Sequence, residues 1–463
     1  MLEIFQLTLR PNYFRVKTAL PTDVDTAFRW HEQSKAFERL LPTWEDIEIL
    51  SDEGITNGSR VALNIKLGPF NRYWRIRRLN YFESRQFSEH MEKGSFKHWR
   101  YRHVFRKGDD VTSVMKDSID YMLPFGSTGF ILGKKYVTNR LKSIFRYRHE
   151  VLKRDLEFYS DKRREKPLNI LIAGGTGFIG KALIPFLASQ GNKITVLSRQ
   201  PELSSRHWQP SKGVIDIKPN DKFDVVINLA GENIQKNWTS ISSDKIKSSR
   251  LQSITLLRET LLKLETPPEI IINASSAGYY GHLNGMAEEA NPCGDTNYAK
   301  MCNELEEAWD PIQSATTRVI HLRMGAVLSP KGGLLKKLVP LFKYGLGTRL
   351  EKGKQPFSWV SINDLIWSIG HCLLEKDISG PVNCASAEPT TIGEFSDIYA
   401  QHAKHSAVFK CPTPLLRCTL NKTTKEMFFQ GTHAHPKKLL GSGFYFSTPD
   451  LPSALDHVLG KFY

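Results

Sequence analysis

The sequence predicts two architectures in one chain. An α+β unit occupies residues 1–163, and an α/β unit with a doubly wound parallel sheet follows over residues 167–380, with a small C-terminal cap over 381–463. Three observations carry this reading. The first segment alternates apolar and polar residues and then switches to a helical period. The second alternates strand-like and helix-like runs. Between them lies the polar stretch "YSDKRREKP", Tyr159 to Pro167, which ends in proline directly before an apolar run and reads as a boundary.

In the first unit, "RVALNIKL" (Arg60 to Leu67) places Val61, Leu63, Ile65 and Leu67 on one face of a strand. "YWRIRRLNYF", "QFSEHME", "HWRYRHVFRKG" and "TSVMKDSIDYML" continue as short strands parted by turn residues. The period then changes. Leu141, Ile144, Phe145, Arg148, Leu152, Leu156 and Tyr159 fall at steps of three and four, one stripe of a long amphipathic helix. A curved antiparallel sheet crossed by such a helix is an arrangement that often leaves a cavity between the two.

The second unit opens on "NILIAG", an apolar strand from Asn169, and continues into a helix through "KALIPFLASQ". The strands "KITVLSR" and "DVVINLAGE", a helix around "DKIKSSRLQSITLLRETLLKL", the strand "EIIINASS", a helix around "NYAKMCNELEEAW" and the strand "TRVIHLRMG" follow. Such βαβ alternation predicts a parallel sheet covered on both faces. The Pro-punctuated tail from about Gly380 reads as a cap.

The turn after the first of these strands is "GGTGFIG", Gly174 to Gly180, with Thr176, Phe178 and Ile179 among the glycines. Gly174, Gly177 and Gly180 have the spacing of a dinucleotide site. One glycine permits the sharp turn, the next lets backbone approach a pyrophosphate, and the last lets helix and strand pack closely. The helix that follows aims unsatisfied N–H groups at the anion. The next strand ends in Ser198 and Arg199, where an acid would bind the free ribose hydroxyl of NAD. A guanidinium favours a 2′-phosphate, so the expected cofactor is NADP; an ordinary surface arginine is the other reading. "NLAGENI" (Asn228 to Ile234) sets small Ala230 and Gly231 at a strand's end, where an adenosine could lie close.

Composition narrows the class. The net charge is +16, yet 32 Lys and Arg stand against 22 acids in residues 1–166 and 32 against 26 beyond, so the excess is spread along the chain. With no long basic run and no aromatic-basic cluster, a solvated surface is the reading and nucleic acid is not an expected partner. No apolar run is long enough to span a bilayer. The start, "MLEIFQLTLRPNYF", lacks the pattern of a signal peptide. The six cysteines (Cys293, Cys302, Cys372, Cys384, Cys411, Cys418) all lie in the second half and form no C-x-x-C pair. Reduced thiols in the cytoplasm are expected, without a zinc site.

Two resemblances add to this. "LPTWEDIEIL…GITNGSRVALNIKLGPFNRYWRIR…FKHWRYRHVF…SIDYMLPFG" resembles the START-like ligand-binding and cyclase proteins over about residues 10–160. That resemblance implies a helix-grip fold around an apolar small molecule; a cavity filled by side chains, or a docking surface, is the alternative. From Asn169 to the C-terminus the chain resembles the atypical extended short-chain dehydrogenase/reductases of the epimerase family, a Rossmann fold. It does so through "GGTGFIG", "NLAGENI…W", "RMGAVLSPKGG", "FSWVSINDL" and "LLGSGFYFSTPDLPSAL". Some members of that branch carry an upstream START-like domain, which accounts for a nucleotide-binding pattern that begins only after 168 residues. The resemblance implies Ser198 and Arg199 at the 2′-phosphate, Leu229 and Ala230 beside the adenosine, Lys245 and Arg250 near the cofactor and Ala326 toward the nicotinamide.

Working short-chain dehydrogenases pair a serine with Y-x-x-x-K, in which the lysine lowers the tyrosine pKa and grips the ribose. Ser276 of "NASSAGYYG" and Tyr298 match the serine and the tyrosine, but Cys302 stands where the lysine belongs. Lys300 is about 200° round the helix from that position and cannot replace it. Two functions therefore stand: an NADP-dependent oxidoreductase or epimerase acting on a small, apolar or sugar-like carbonyl compound, or a catalytically degenerate binder of NADP and an apolar ligand that serves as a sensor. In the second, Ser276 and Tyr298 are polar residues lining a cofactor cleft.

The boundary at Tyr159–Pro167 makes a direct prediction. Fragments 1–163 and 167–463, expressed separately, should each fold, because each has apolar patterning for its own core. Circular dichroism and cooperative melting check this; two unfolded fragments would contradict it.

Overall fold

In a computed structural model the chain divides into two compact units, Met1–Lys162 and Arg163–Lys461. The structure describes residues 11–124, 126–161, 166–200, 206–231, 243–283, 285–336, 338, 353–403 and 431–461. Cys411, Cys418 and residues 162–165 of the boundary stretch lie outside these.

The first unit runs β1 (Asn12–Leu20), α1 (Val24–Glu32), α2 (Ala36–Arg39), β2 (Ile47–Asp52), β3 (Arg60–Leu67), β4 (Phe70–Phe82), β5 (Gln86–Lys93), β6 (His98–Lys107), β7 (Ser113–Met122) and α3 (Gly126–Tyr159). Its seven strands form one sheet in the order β1-β7-β6-β5-β4-β3-β2. Every neighbouring pair is antiparallel. This is the antiparallel sheet and long helix that the periodicity implied, in the helix-grip-like arrangement that the resemblance implied. β3 buries Val61 and Leu63 as expected. The α3 stripe buries Leu141, Phe145, Leu152 and Leu156, while Ile144, Arg148 and Tyr159 are half-buried. Leu141 and Phe145 join Tyr101, Ile119 and Tyr121 of β6 and β7 in one apolar cluster. The strand β1 and helices α1 and α2 went unread in the sequence.

One buried ion pair ties the start of this unit to its end. Arg39 Nε donates to Asp155 Oδ2 at 2.7 Å, and Nη2 to Oδ1 at 3.0 Å. Both side chains are removed from solvent. The bidentate fork satisfies two charges at once, and removing one partner strands the other.

The second unit begins with β8 (Asn169–Ala173), α4 (Phe178–Ser189), β9 (Lys193–Ser198), β10 (Arg206–Gln209), β11 (Val214–Ile215) and β12 (Val225–Asn228). Then come α5 (Ser243–Leu261), β13 (Ile270–Ser276), β14 (Met286–Ala287), α6 (Asn297–Glu307), β15 (Arg318–Met324), β16 (Ala326–Leu328), β17 (Trp359–Ser361) and α7 (Ile362–Leu374). β18 (Gly380–Cys384), α8 (Ile392–Ala403), β19 (His433–Ala434), α9 (Lys437–Gly441) and α10 (Leu451–Leu459) complete it. The main sheet has the order β11-β10-β9-β8-β12-β13-β15-β18, parallel throughout except for the β11 edge. Chain order reverses between β8 and β12. In open α/β sheets that switch point opens a crevice at the carboxyl ends of the strands.

The sheet runs further along the chain than the sequence suggested. Gly380–Cys384 opens the segment read as cap, yet it pairs with β15 as the edge strand. Its five residues start with Gly380 at φ +65° and a proline, which read as a turn; an edge strand tolerates both. Among the described residues, no helix is long and apolar enough to cross a membrane, and no cluster of His, Cys, Asp and Glu could hold a metal.

Replacing Asp155 with Ala should destabilise the first unit by about 3–5 kcal/mol, the usual cost of stranding a buried charge. Urea unfolding followed by tryptophan fluorescence would show it; a loss below about 1 kcal/mol would mean that the pair carries little of this unit's stability.

Candidate active site

The crevice at the switch point is a cleft of about 900 Å³. Its first wall is the glycine turn. Gly174 takes φ +80°, and a Cβ there would lie 2.7 Å from the carbonyl carbon of Leu229 and 2.8 Å from Ala230 N. The turn closes as Gly177 N donates to Gly174 O at 3.0 Å. Gly177 then caps α4 and has no side chain of its own to bond the helix's first N–H groups. A Cβ on Gly180 would come 2.5 Å from Gly175 O, so only glycine lets α4 press this close to the turn. These features fit a dinucleotide's pyrophosphate: a backbone cradle that any Cβ would fill, at a helix N-terminus.

The second wall follows β12. Asn228 is buried; its Nδ2 donates to Asn273 Oδ1 at 3.0 Å and its Oδ1 accepts from Ala230 N at 3.2 Å. This pair holds the strand ends in register and presents Leu229, Ala230 and Gly231 to the cleft. The Arg250 guanidinium lies over Gly231, where a Cβ would stand 3.0 Å from its Nε. Among the described residues that buried Nε has no hydrogen-bond partner, which leaves it a donor at the cleft wall.

The third wall holds the candidate chemistry. Ser276 ends β13, and its Oγ accepts from Gly278 N at 3.1 Å. Tyr298 sits in the first turn of α6, whose N-cap Thr296 accepts from Ala299 N at 3.0 Å. The Tyr298 ring lies against Gly278, where a Cβ would be 2.3 Å from Cε1. Tyr298 hydrogen-bonds Ser276 and Cys302. Burial and the neighbouring Cys302 push its phenol up to about 12, against the smaller opposing effects of Arg250 and Ser276. Burial likewise pushes the Cys302 thiol up to about 12. Both groups are neutral at pH 7. Lys300 is exposed and takes no part in the cleft.

Of the residues singled out in the sequence, Gly174, Gly177, Phe178, Ile179, Gly180, Leu229, Ala230, Gly231, Arg250, Ser276, Tyr298 and Ala326 all line this cleft. Thr176, Ser198, Arg199 and Lys245 do not. Ser198 ends β9, one strand outward from the glycine turn, and Arg199 follows it. Ser198 Oγ accepts from Gln200 N at 3.1 Å, and Arg199 is exposed. The cleft also gains Lys331 and Lys336, which sequence reasoning did not single out. Gly332 packs on the Phe178 ring, 2.3 Å from where its Cβ would be, and so carries Lys331 to the start of α4. The glycines of "SPKGGLLKK" were the available signal.

Comparison with known proteins bears on the whole chain. Residues 170–385 match the NAD dependent epimerase/dehydratase family, residues 411–458 a domain of unknown function (DUF1731), and residues 20–165 the polyketide cyclase / dehydrase and lipid transport family. An epimerase family protein of Mycobacterium bovis is 32% identical over 293 residues, 62% of this chain and 97% of that protein. The human epimerase family protein SDR39U1 is 27% identical over 296 residues, 63% of this chain and its full length. The crystal structure of that human protein with NADPH superposes with a TM-score of 0.58 at 26% identity, covering 64% of this chain and all of that one. A Corynebacterium glutamicum structure, described as a nucleoside-diphosphate sugar epimerase, reaches a TM-score of 0.76 at 25% identity and covers 96% of this chain and 90% of its own.

A phenol whose pKa is raised on folding contributes stability below the unfolded value of about 10, and that stability is lost as pH climbs toward about 12. Tyr298→Phe should therefore lose less stability than wild type between those two pH values. Parallel thermal melts across the range test this; superimposable alkaline profiles would contradict the burial of the phenol.

Proposed function

The chain belongs to the NAD dependent epimerase/dehydratase family, and on that premise we propose that its cleft binds NADPH and that Tyr298 donates a proton to a small carbonyl compound during its reduction. The observation that carries this is the neutral, buried phenol of Tyr298 beside Ser276, on the wall facing a backbone cradle for pyrophosphate.

The residues present fit the cofactor. Gly174, Gly177 and the free end of α4 would take the pyrophosphate, with the unpartnered Arg250 Nε available beside it. Ser198 and Arg199 would take the 2′-phosphate, Lys245 would lie near the cofactor, and Ala326 would approach the nicotinamide. A relative has been solved with NADPH, which agrees with arginine rather than an acid after β9. When bound, the reduced nicotinamide supplies the hydride.

The chain's own part is positioning and proton transfer. Ser276 and Tyr298 converge on the substrate oxygen; the phenol gives up its proton as that oxygen becomes a hydroxyl, and water at the cleft mouth returns one. A phenol held near 12 is a donor at pH 7 and no base, so reduction is favoured over oxidation or proton abstraction. With cysteine in place of the helper lysine, the phenolate left behind is poorly stabilised and the step is slow. That same substitution favours the second reading, a degenerate site that binds NADP as a sensor. In the smaller unit, the match to the polyketide cyclase and lipid transport family supports an apolar ligand.

NADPH should bind more tightly than NADH, and Arg199→Ala should weaken NADPH by about 1.5–3 kcal/mol, the scale of a charge-assisted hydrogen bond. Equal affinities for the two cofactors in calorimetry would contradict the assignment. Single-turnover NADPH oxidation with a mixed carbonyl panel tests the chemistry. Tyr298→Phe should abolish it and Cys302→Lys, one turn away on the same face, should raise it. No oxidation above background in all three proteins would select the sensor reading.

A further inference from the structure

The seven-stranded sheet of the first unit has two faces, and one of them is core. On that covered face the rings of Phe28, His31, Phe87, Tyr101, His103 and Phe105 pack with centroids 3.9 to 6.3 Å apart. On the same face the Thr18 hydroxyl lies 2.6 Å from His149 Nδ1, and His149 Nε2 lies 2.6 Å from Asp117 Oδ2. Strand alternation sends the intervening residues to the other face.

That other face carries a band of cations. Lys17 of β1 stands opposite Lys116 of β7, and Arg15 opposite Ser118, which in turn stands opposite Arg102 of β6. Arg100 of β6 stands opposite His90 of β5, and His90 opposite Arg77 of β4. The band crosses five adjacent strands, about 19 Å at the usual strand spacing. Arg15, Lys17 and Arg77 are exposed, while Arg100, Arg102 and Lys116 are half-buried. No basic run displays the band in the sequence, because each strand contributes alternate residues and pairing gathers them.

Packing does not require this arrangement. Like charges directly opposite on neighbouring strands destabilise a sheet. None of the six cations has an ion-pair partner among the described residues, and the Nε atoms of Arg100 and Arg102 are buried without a hydrogen bond. Among the described residues the one acid in the band is Asp120, opposite Tyr13 and Arg100. Glu92, two residues beyond His90, is taken by Arg60 at 3.2 Å and Arg75 at 2.8 Å. Burial, and then the charges of Arg100, His98 and Arg102, hold the His90 imidazole below its usual range, so at pH 7 the arginines carry the charge there.

Six cations against one acid attract a polyanion. Four of the six are arginines, whose planar forks match phosphate oxygens two at a time. An exposed ring stands at the margin: Tyr13, with the Arg15 guanidinium 5.3 Å from its centre. A positive track beside an aromatic ring is the combination that holds an unpaired strand, phosphates on the track and a base on the ring. A flexible strand can also follow a twisted sheet, which a straight duplex meets at few points.

We propose that this face binds single-stranded nucleic acid, its phosphates along the band from Lys17 and Lys116 to Arg77 and a base stacked on Tyr13. The proposal is independent of the cofactor and the chemistry assigned to the cleft.

The test is fluorescence anisotropy of the full chain with a labelled oligouridylate of about ten nucleotides, between about 50 and 200 mM KCl. At the lower salt it should bind with a Kd of about 10 µM or tighter, and log K should fall with log salt at a slope of about −3, as for about four neutralised phosphates on a single strand. Arg100→Gln with Arg102→Gln should weaken binding about tenfold and flatten the slope by about 1. The exposed pair Arg15→Glu with Lys17→Glu should do the same, with melting temperatures confirming that both variants fold. Lys212→Glu with Lys263→Glu makes the same charge change on exposed residues of the larger unit and should leave affinity within about twofold. Saturating NADPH should not compete. No binding at the lower salt, an equal loss in the Lys212 and Lys263 variant, or displacement by NADPH would overturn the proposal. So would a polyglutamate peptide or a duplex of the same length that binds as tightly as the single strand.

Discussion

The larger unit is organised by a backbone contact that no side chain could share. Gly174 passes so near the end of β12 that a Cβ would sit 2.7 Å from the Leu229 carbonyl carbon, and Gly180 comes within a Cβ's reach of the Gly175 backbone. These two approaches bring the strand end, the start of α4 and the neighbouring strand end together at the switch point. From there the cleft follows: Leu229 to Gly231 form its second wall because β12 is pinned to β8, and a Cβ on Gly231 would crowd the Arg250 guanidinium that lies across it. Substituting either turn glycine moves an entire wall, since backbone can only yield by shifting the elements it belongs to.

The protonation state of the phenol in the cleft is set by what surrounds it. In a dehydrogenase with Y-x-x-x-K the ammonium sits one turn from the tyrosine and stabilises its anion. Here that position holds a buried, neutral thiol, so desolvation wins and the phenol keeps its proton. Arg250 acts in the opposite sense on both groups, but only partly offsets burial. A protonated hydroxyl held by Ser276 suits hydrogen-bond donation to a substrate oxygen and slow protonation of it. The smaller unit faces a related problem and solves it differently: against its burial, Asp117 is held far below the usual carboxylate range by His103 and His149, whose ring nitrogens lie 2.9 and 2.6 Å from it, and the Tyr101 hydroxyl also donates to it.

Much of this was legible in the residue order. The alternation of Arg60 to Leu67, the period change at Leu141 and the glycine spacing from Gly174 each reflect a local geometric demand that a single sequence displays. The Tyr298–Cys302 pair was legible too, because i and i+4 share a helix face. What escaped has a common cause: it depends on contacts between distant segments. Thr18, Asp117 and His149 come from three elements and share no spacing. Lys331 reaches the cleft only because Gly332 stacks on Phe178. Arg323, bonded to Glu306 and Tyr280 and lying 3.3 Å from the Tyr279 ring centre, is a buried network assembled from β15, α6 and the turn after β13. The edge strand β18 escaped for another reason: five residues that open on glycine and proline carry too little pattern to register as sheet.

The central claim is that the cleft presents a neutral phenol at physiological pH. Carbon-13 NMR of protein labelled at tyrosine Cζ, with the Tyr298 resonance assigned from the Tyr298→Phe variant, measures that ionisation directly. The account predicts a Tyr298 signal that stays at the protonated position through pH 10. A signal that titrates near pH 7 would contradict it, and would mean that Tyr298 has the activated character of a dehydrogenase base despite Cys302.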